Sequence, residues 1–159
     1  MFTPDKDLTT IILLMRKDEP LLKLLDLSGD MLTAKANSYI SKHPSVALEL
    51  AKTTVIAQSI IARSKWDGLA TNEKRLCVYF LPDRRMRNES FKQSVLQVDC
   101  HVPATQDCIA YRVLERVYTL LHRKKLNKRY IFFDGQLGEL PTMQGFFCAG
   151  SRFEFKRII

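Results

Sequence analysis

The sequence has no apolar run that could cross a bilayer. The longest one near its start, Ile11 to Met15, falls far short of the roughly 20 residues that a membrane span needs. It is also too short for a secretory signal, so we expect a protein that is neither exported nor bound to a membrane. Its 4 cysteines are therefore predicted to stay reduced, because a chain of 159 residues made in the cytosol does not need disulfides to fold.

Glycine and metal-ligand patterns are also scarce. None of the 6 glycines forms a glycine-rich loop before a helix, which excludes the usual phosphate-binding loops, and Gly135 and Gly138 are predicted to serve turns with positive φ. Cys100, His101 and Cys108 come nearest to a zinc site, but neighbours on a strand point to opposite faces. We therefore predict no cofactor and no bound metal.

The chain does have an ordinary globular composition and an excess of positive charge. Its hydrophobic fraction of 46% and charged fraction of 26% suit one packed core, and we predict a single domain over residues 1–159. Within it we expect a mainly helical segment at 1–64 and a β-rich core at 65–159. The net charge of +8 favours anionic partners such as nucleic acid or an acidic protein face, although it also favours solubility.

The first segment carries several helix boundaries. Pro4 suits the first position of a helix, and apolar residues then recur at helical spacing. Glu19-Pro20 is expected to interrupt that helix, with a short second helix ending at Ser28-Gly29. Asp30 can cap a third helix, which His43-Pro44 would close.

The stretch from 45 to 64 is ambiguous, because helical apolar spacing coincides with β-branched runs. We predict a helix followed by a short strand or loop. A polar connection comes next, and its Trp66 is expected to pin it onto the core.

The second half is predicted to be a β-β-α-β-β unit. The run Leu76 to Leu81 and the alternating stretch Val95 to Val102 predict a hairpin. Apolar residues four apart after Pro103 predict an amphipathic helix, and Tyr130 to Phe133 and Gly145 to Ile158 predict the closing strands. The fold class is thus α+β, with an antiparallel or mixed sheet backed by that helix.

One pair of residues has the spacing for general acid or base chemistry. Asp99 and His101 would share one face of a strand, so a carboxylate could position an imidazole. No nucleophile motif accompanies them, and a solvated or interface-facing pair is the favoured interpretation. We predict that the protein is not an enzyme.

Two basic clusters stand out. The first lies between the two strands of the predicted hairpin, on a long charged loop suited to bidentate contacts with carboxylates: Arg84, Arg85, Arg87 and the adjacent Asn88. The second follows the amphipathic helix and could hold phosphates beside the aromatic ring of Tyr130, or else complement the helix dipole as a solvated helix end: Arg123, Lys124, Lys125, Lys128 and Arg129.

The run from Arg75 to Phe80, the strand at Val98-Asp99, the helix after Pro103 and the strand from Phe146 to Phe155 follow in a familiar order. In that order they resemble the head-tail joining and tail-terminator (tail completion) proteins of tailed bacteriophages, over roughly residues 65 to 159.

The resemblance implies a small structural subunit of the virion neck or tail, without cofactor or reaction. Copies would form a ring, commonly a hexamer, that ends the tail tube and docks on the head connector or stopper, while DNA passes through only as cargo. Free sheet edges would pair between copies. The loops expected at these contacts hold the residues Arg84, Arg85, Arg87, Asn88, Gln136, Glu139 and Met143. The alternative is a small nucleic-acid-binding module that uses the cluster from Arg123 to Arg129.

Overall fold

The computed structural model describes residues 4–81, 84–85 and 92–156 of the chain. The helices in this part are α1 (Pro4–Arg16), α2 (Glu19–Leu24), α3 (Gly29–Lys42), α4 (Leu48–Ser59) and α5 (Asp107–Leu121). The strands are β1 (Ile60–Ile61), β2 (Arg75–Phe80), β3 (Arg84–Arg85), β4 (Lys92–Gln93), β5 (Val95–Pro103), β6 (Lys125–Leu126), β7 (Arg129–Leu137) and β8 (Phe146–Lys156). The predicted α+β class is confirmed.

The main sheet of the described chain has six strands in the order β1-β2-β5-β8-β7-β6. Only β1 and β2 run parallel, and every other neighbouring pair is antiparallel, so the sheet is mixed. The predicted hairpin is confirmed in β2 and β5, where Val78 lies opposite Val98. Strands β3 and β4 pair with each other in a separate two-stranded sheet.

The predicted break before Pro20 is confirmed between α1 and α2. Asp18 caps α2, because its side chain accepts a hydrogen bond from the backbone N–H of Leu21 at 3.1 Å, and proline is tolerated in a first turn. The end predicted at Ser28-Gly29 is wrong, since α2 stops at Leu24 and Asp26 is left-handed with φ 57°. Asp30 does not cap α3 either, and lies inside its first turn.

The prediction for residues 45–64 is confirmed by α4 and β1. The role predicted for Trp66 is wrong, because this side chain is 56% exposed. The connection before β2 is held instead by the buried Arg75, whose guanidinium donates hydrogen bonds to the carbonyls of Lys65 and Asp67 at 3.0 and 2.7 Å.

One hydrophobic core joins the helical segment to the sheet. Ile11 and Leu25, from the first helices, belong to the same buried cluster as Val98 and Phe153 from the sheet. Helix α5 contributes residues four apart, as predicted, and it is tied to the start of α2 through a two-pronged ion pair. In that pair Arg116 donates two hydrogen bonds of 2.8 Å to Asp18, which lowers the pKa of this carboxyl.

Two turn predictions need correction. Gly135 lies within β7, at a bulge, and neither it nor Gly138 has a positive φ, because β7 continues to Leu137. The expected complement to the dipole of α5 is absent from its last turn, since the helix ends at Leu121 and Arg123 already has φ 64°.

Candidate interaction surfaces

We call the two short strands β3 and β4, which comprise Arg84–Arg85 and Lys92–Gln93, the arginine arm. Its two strands pair antiparallel, with Arg84 opposite Gln93 and Arg85 opposite Lys92. Two described residues of the predicted charged loop, Arg84 and Arg85, are therefore part of a short ladder. Arg87 and Asn88, predicted as contact residues, lie outside the described residues.

The second predicted contact region begins near the end of β7, and its residues divide between the surface and the interior. Gln136 is an exposed residue of β7, opposite Ser151, and Glu139 is also exposed. Met143 is half-buried, and its sulfur accepts a hydrogen bond of 3.2 Å from the backbone N–H of Leu69. Two of the three residues thus lie on the surface, while the third packs against the connection before β2.

An open groove of roughly 340 Å³ runs between α5 and β7, and we call it the aromatic groove. Tyr111 and Tyr118 line its helix side, Phe133 and Gln136 line its strand side, and Glu115 lies between the two tyrosines along α5. Leu114 and Ser151 complete the lining. The rings of Tyr118 and Phe133 meet edge to face with centroids 5.2 Å apart.

The aromatic groove was missed by the sequence analysis, although a signal for it exists. Tyr111 and Tyr118 are seven residues apart, which is two helical turns, with Glu115 one turn after the first. They border the buried stripe of α5 rather than lying opposite it. Within the described residues neither phenol has a hydrogen-bond partner, and their exposed fractions are 41% and 39%.

The outer side of β7 is covered over only part of its length. Strand β6 pairs with Arg129 and Tyr130, and the backbone of Ile131 exchanges hydrogen bonds with Arg123 and Lys124. Beyond the bulge, residues 135–137 pair with β8 on one side, and no described strand lies on the other. We call these three residues the open margin of β7.

The second basic cluster forms a tight hairpin, which we call the basic hairpin (residues 123–129). Asn127 and Lys128, with φ of 49° and 64°, make the two-residue turn between β6 and β7. The hairpin exposes Arg123, Lys124, Lys125 and Lys128, whereas the half-buried Arg129 lies 5.8 Å from the ring of Phe155. Lys125 lies 6.0 Å from the ring of Tyr130.

A buried polar network occupies the sheet face that turns away from α5. Asp99 is 6% exposed, and its carboxylate accepts hydrogen bonds from the Tyr79 hydroxyl at 2.6 Å and the Gln97 amide at 2.8 Å. Arg152 Nε in turn donates a hydrogen bond of 3.2 Å to the side-chain oxygen Oε1 of Gln97. Burial, together with the bond to Asp99, raises the pKa of Tyr79, so this phenol stays protonated as a donor.

His101 lies on the same face but has partners of its own. It is 3% exposed, with Nδ1 2.9 Å from the Thr142 hydroxyl and Nε2 3.7 Å from the Cys148 sulfur. Burial lowers the pKa of His101 and raises that of the Cys148 thiol, so both side chains are uncharged at neutral pH. The expectation of a solvated Asp99 and His101 pair is wrong, because both faces of β5 are covered.

The cysteines divide between core and surface. Cys77, Cys100 and Cys148 are buried, and burial raises the pKa of Cys77 to about 11. Only Cys108, in the first turn of α5, is exposed. All four are free thiols, and in the described chain no group of three or more metal-ligand side chains could hold an ion.

A second open cleft, of roughly 770 Å³, lies between the pair α3 and α4 and the turn at residues 70–73. It contains both Lys35 and Lys42 and the acidic Asp26 and Glu73, and Asp26 is paired with Lys74 at 2.6 Å. Because the charges are mixed and partly paired, the cleft does not indicate one class of ligand.

No helix in the described ranges is both long and apolar enough to span a membrane. Compared with known protein families, the chain matches no family model, and it has no significant match among curated proteins. The resemblance to phage neck proteins therefore stays a prediction.

Proposed function

We propose that this chain is a structural subunit of the neck of a tailed bacteriophage. Copies form a ring, expected to be a hexamer, that ends the tail tube and joins it to the head connector or stopper, and DNA passes through as cargo. The assignment to the neck comes from the resemblance over residues 65–159. The observation that carries assembly is the arginine arm, a small separate sheet at the end of the hairpin of β2 and β5.

The arginine arm has a composition and geometry suited to contact with another protein. An isolated two-stranded ladder of this length is marginal in water, so packing against a partner would stabilise it. Its strands carry Arg84, Arg85 and Lys92, and arginine forms bidentate contacts with carboxylates. A charged strand pair of this kind favours a specific partner over random association between edges.

The margins of the main sheet also support assembly. Strand β1 lies opposite only Leu76 and Cys77, so no described strand flanks the second half of β2, and the open margin of β7 is uncovered too. Free sheet margins are sites of pairing with other chains, and closure of a ring covers them. A subunit of this design needs no reaction centre.

Electron microscopy of the purified protein tests the proposal, first alone and then mixed with the tail-tube and connector proteins encoded in the same genome. We expect rings in at least one of these samples, and light scattering should give the number of subunits. A protein that stays monomeric in every mixture, and binds neither partner, would rule out the neck function.

A second candidate function is nucleic-acid binding by the basic hairpin. It is favoured by one observation, the exposure of Arg123, Lys124, Lys125 and Lys128 around a single turn. Replacing Lys124 and Lys125 with alanine should weaken DNA binding and reduce the slope of log affinity against log salt by roughly 0.9 per lost phosphate contact. The matched control replaces the exposed Lys17 and Lys23. Absence of binding by the parent protein at low salt would remove this function.

A further inference from the structure

We infer that the aromatic groove binds a proline-rich segment of a partner protein, in the polyproline II conformation and with a basic residue next to its prolines. The inference goes beyond the ring function and does not depend on it, since the groove lies within one subunit. Four properties of the described residues carry it: ring surface, ring spacing, free phenol hydroxyls and charge.

The walls of the groove present aromatic rings that are already fixed. Tyr111, Tyr118 and Phe133 are 41%, 39% and 36% exposed and line its two sides. Tyr118 meets Phe133 edge to face, and Tyr111 packs against Phe147 with ring centroids 5.8 Å apart. Proline-rich segments dock in grooves lined by aromatic side chains, and rings held in place lose little entropy when a ligand binds. The groove is therefore pre-formed for such a ligand.

The two tyrosines have the spacing of a polyproline II turn. Tyr111 and Tyr118 are seven residues apart on α5, which separates their Cα atoms by about 10.5 Å along the helix axis. Prolines three residues apart in a polyproline II helix lie on the same side, about 9.3 Å from each other. Side chains on one face of a β-strand repeat at about 6.7 Å, which matches less well. Each proline of a Pro-x-x-Pro segment can thus meet one tyrosine.

The free hydroxyls of the groove suit a ligand with free carbonyls. In the described chain neither the Tyr111 nor the Tyr118 hydroxyl has a hydrogen-bond partner, and Gln136 adds an amide on the strand side. A polyproline II helix forms no internal hydrogen bonds, so its carbonyls can accept from these donors. An α-helix would use most of its own carbonyls. The donors therefore favour polyproline II over a helical ligand.

The groove carries negative charge although the chain as a whole is basic. Glu115 lies between the two tyrosines along α5, and Asp134 follows Phe133 on β7, and both residues are exposed. In the part of the chain that the structure describes, neither carboxylate has an ion-pair partner. Carboxylates at the groove attract an arginine or lysine of the ligand and repel the phosphates of a nucleic acid.

Fluorescence anisotropy of labelled synthetic peptides tests the inference on the full chain. The probe is a short peptide with the pattern Pro-x-x-Pro followed by an arginine, with alanine at the other positions. One control peptide has the same composition but adjacent prolines, and a second has alanine in place of both. The chain should bind the probe at least about tenfold more tightly than either control, because only the probe presents two prolines on one side of a preformed helix.

Variants of the chain locate the binding site. Tyr111→Ala/Tyr118→Ala removes both rings and should weaken binding of the probe at least about tenfold, as expected when hot-spot residues are lost. Tyr111→Phe/Tyr118→Phe removes only the two donors and should weaken binding by a smaller factor. This second variant keeps the packing of the rings on Phe133 and Phe147, so its loss of binding cannot come from misfolding. Trp66→Ala removes an exposed ring outside the groove and should bind like the parent.

A charge variant tests the basic residue of the ligand. Glu115→Gln should weaken binding of the probe by about two- to fivefold, the range expected for an exposed ion pair. A probe with glutamine in place of its arginine should bind this variant and the parent equally. Glu49→Gln is the matched control, because its carboxylate is 87% exposed on α4, and it should bind both probes like the parent.

Three results would overturn the inference. The first is no binding of the probe at concentrations up to about 1 mM. The second is equal affinity for the probe and the peptide without proline, which would assign the groove to an extended strand. The third is a groove that binds a single-stranded oligonucleotide and not the probe, with loss of that binding in Tyr111→Ala/Tyr118→Ala. None of these results changes the expectation of rings, which electron microscopy decides separately.

Discussion

The central strand β5 is buried on both faces, but one face packs against apolar side chains and the other against a network of hydrogen bonds. On the face toward α5, residues such as Leu96 and Val98 join the hydrophobic core. On the opposite face, Asp99 and His101 alternate with them along the same strand and are equally inaccessible. The apolar face is stabilised by burial of surface, whereas on the polar face hydrogen bonds offset the cost of burying polar groups.

The difference between the two faces shows that loops can cover one face of a sheet where no helix packs against it. The polar face is covered by the connection before β2, whose carbonyls accept hydrogen bonds from Arg75, and by the loop after β7, which brings Thr142 to His101. Loops carry many backbone and hydroxyl groups that are not used in helix or sheet hydrogen bonds. These groups can bond to polar side chains, so loops suit a polar face better than an apolar one.

The largest expected effect is on the apolar face. Replacing the fully buried Phe153 with alanine leaves a cavity and should lower the free energy of unfolding by about 3–5 kcal/mol, measured by urea denaturation. The same replacement at Phe133, which is 36% exposed, is the control and should cost clearly less. Equal losses at the two positions would contradict the assignment of the core.

On the polar face, Asp99→Ala should cost about 2–3 kcal/mol of unfolding free energy, because the Tyr79 hydroxyl and the Gln97 amide lose their acceptor. Asp99→Asn retains one acceptor oxygen and should cost less. A neutral Asp99→Ala, by the same denaturation measurement, would mean that the network does not stabilise this face.

A smaller loss of stability is expected at Gly150 of β8, which lies opposite Asp99 in the sheet. A Cβ atom on Gly150 would lie 2.6 Å from Asp99 Oδ1 and 2.8 Å from Leu140 Cδ1, so Gly150→Ala should cost about 1–3 kcal/mol through overpacking. Gly138→Ala is the control, since a Cβ there meets nothing within 4 Å. In the double variant with Asp99→Ala, the loss of unfolding free energy should be smaller than the sum of the two single losses. Urea denaturation of the parent, both single variants and the double variant measures this difference.

The smallest effect is a dependence of stability on pH. Burial holds the pKa of His101 below its ordinary 6.5, so the unfolded chain binds more protons just below that pH. Stability should therefore be full above pH 6.5 and fall as the pH drops below it, and His101→Gln should lack this slope. Its charged neighbours Asp99 and Arg75 are retained in that variant. The pKa of Asp18 is held below its ordinary 3.8, so the stability that this carboxylate contributes should be lost only as the pH falls below 3.8.

Much of the fold could be predicted because it depends on local signals. The four-residue spacing in α5, the alternation in β5 and the proline after Asp18 each specify an element through its own neighbours. The burial of Trp66 and the solvation of Asp99 were predicted wrongly for one shared reason. Alternation tells which side chains share a face, but a distant segment decides what covers that face.

Of the candidate surfaces, those defined by neighbouring residues in the sequence were predictable, and the one formed by distant residues was not. The arginine arm and the basic hairpin were found as runs of charge, which needs no knowledge of packing. The aromatic groove was missed because it forms only when Phe133 and Gln136 of β7 come beside the tyrosines of α5. Contacts between residues this far apart in sequence leave no periodic pattern.

The exposed thiol in the first turn of α5 offers a native place for a probe. Maleimide dyes react with accessible thiolates, and the three other cysteines are shielded inside the core. Cys108 lies one helical turn before Tyr111, so a dye attached there would sit close to the groove without any engineered residue. Its fluorescence would report in real time on any molecule that binds at the groove.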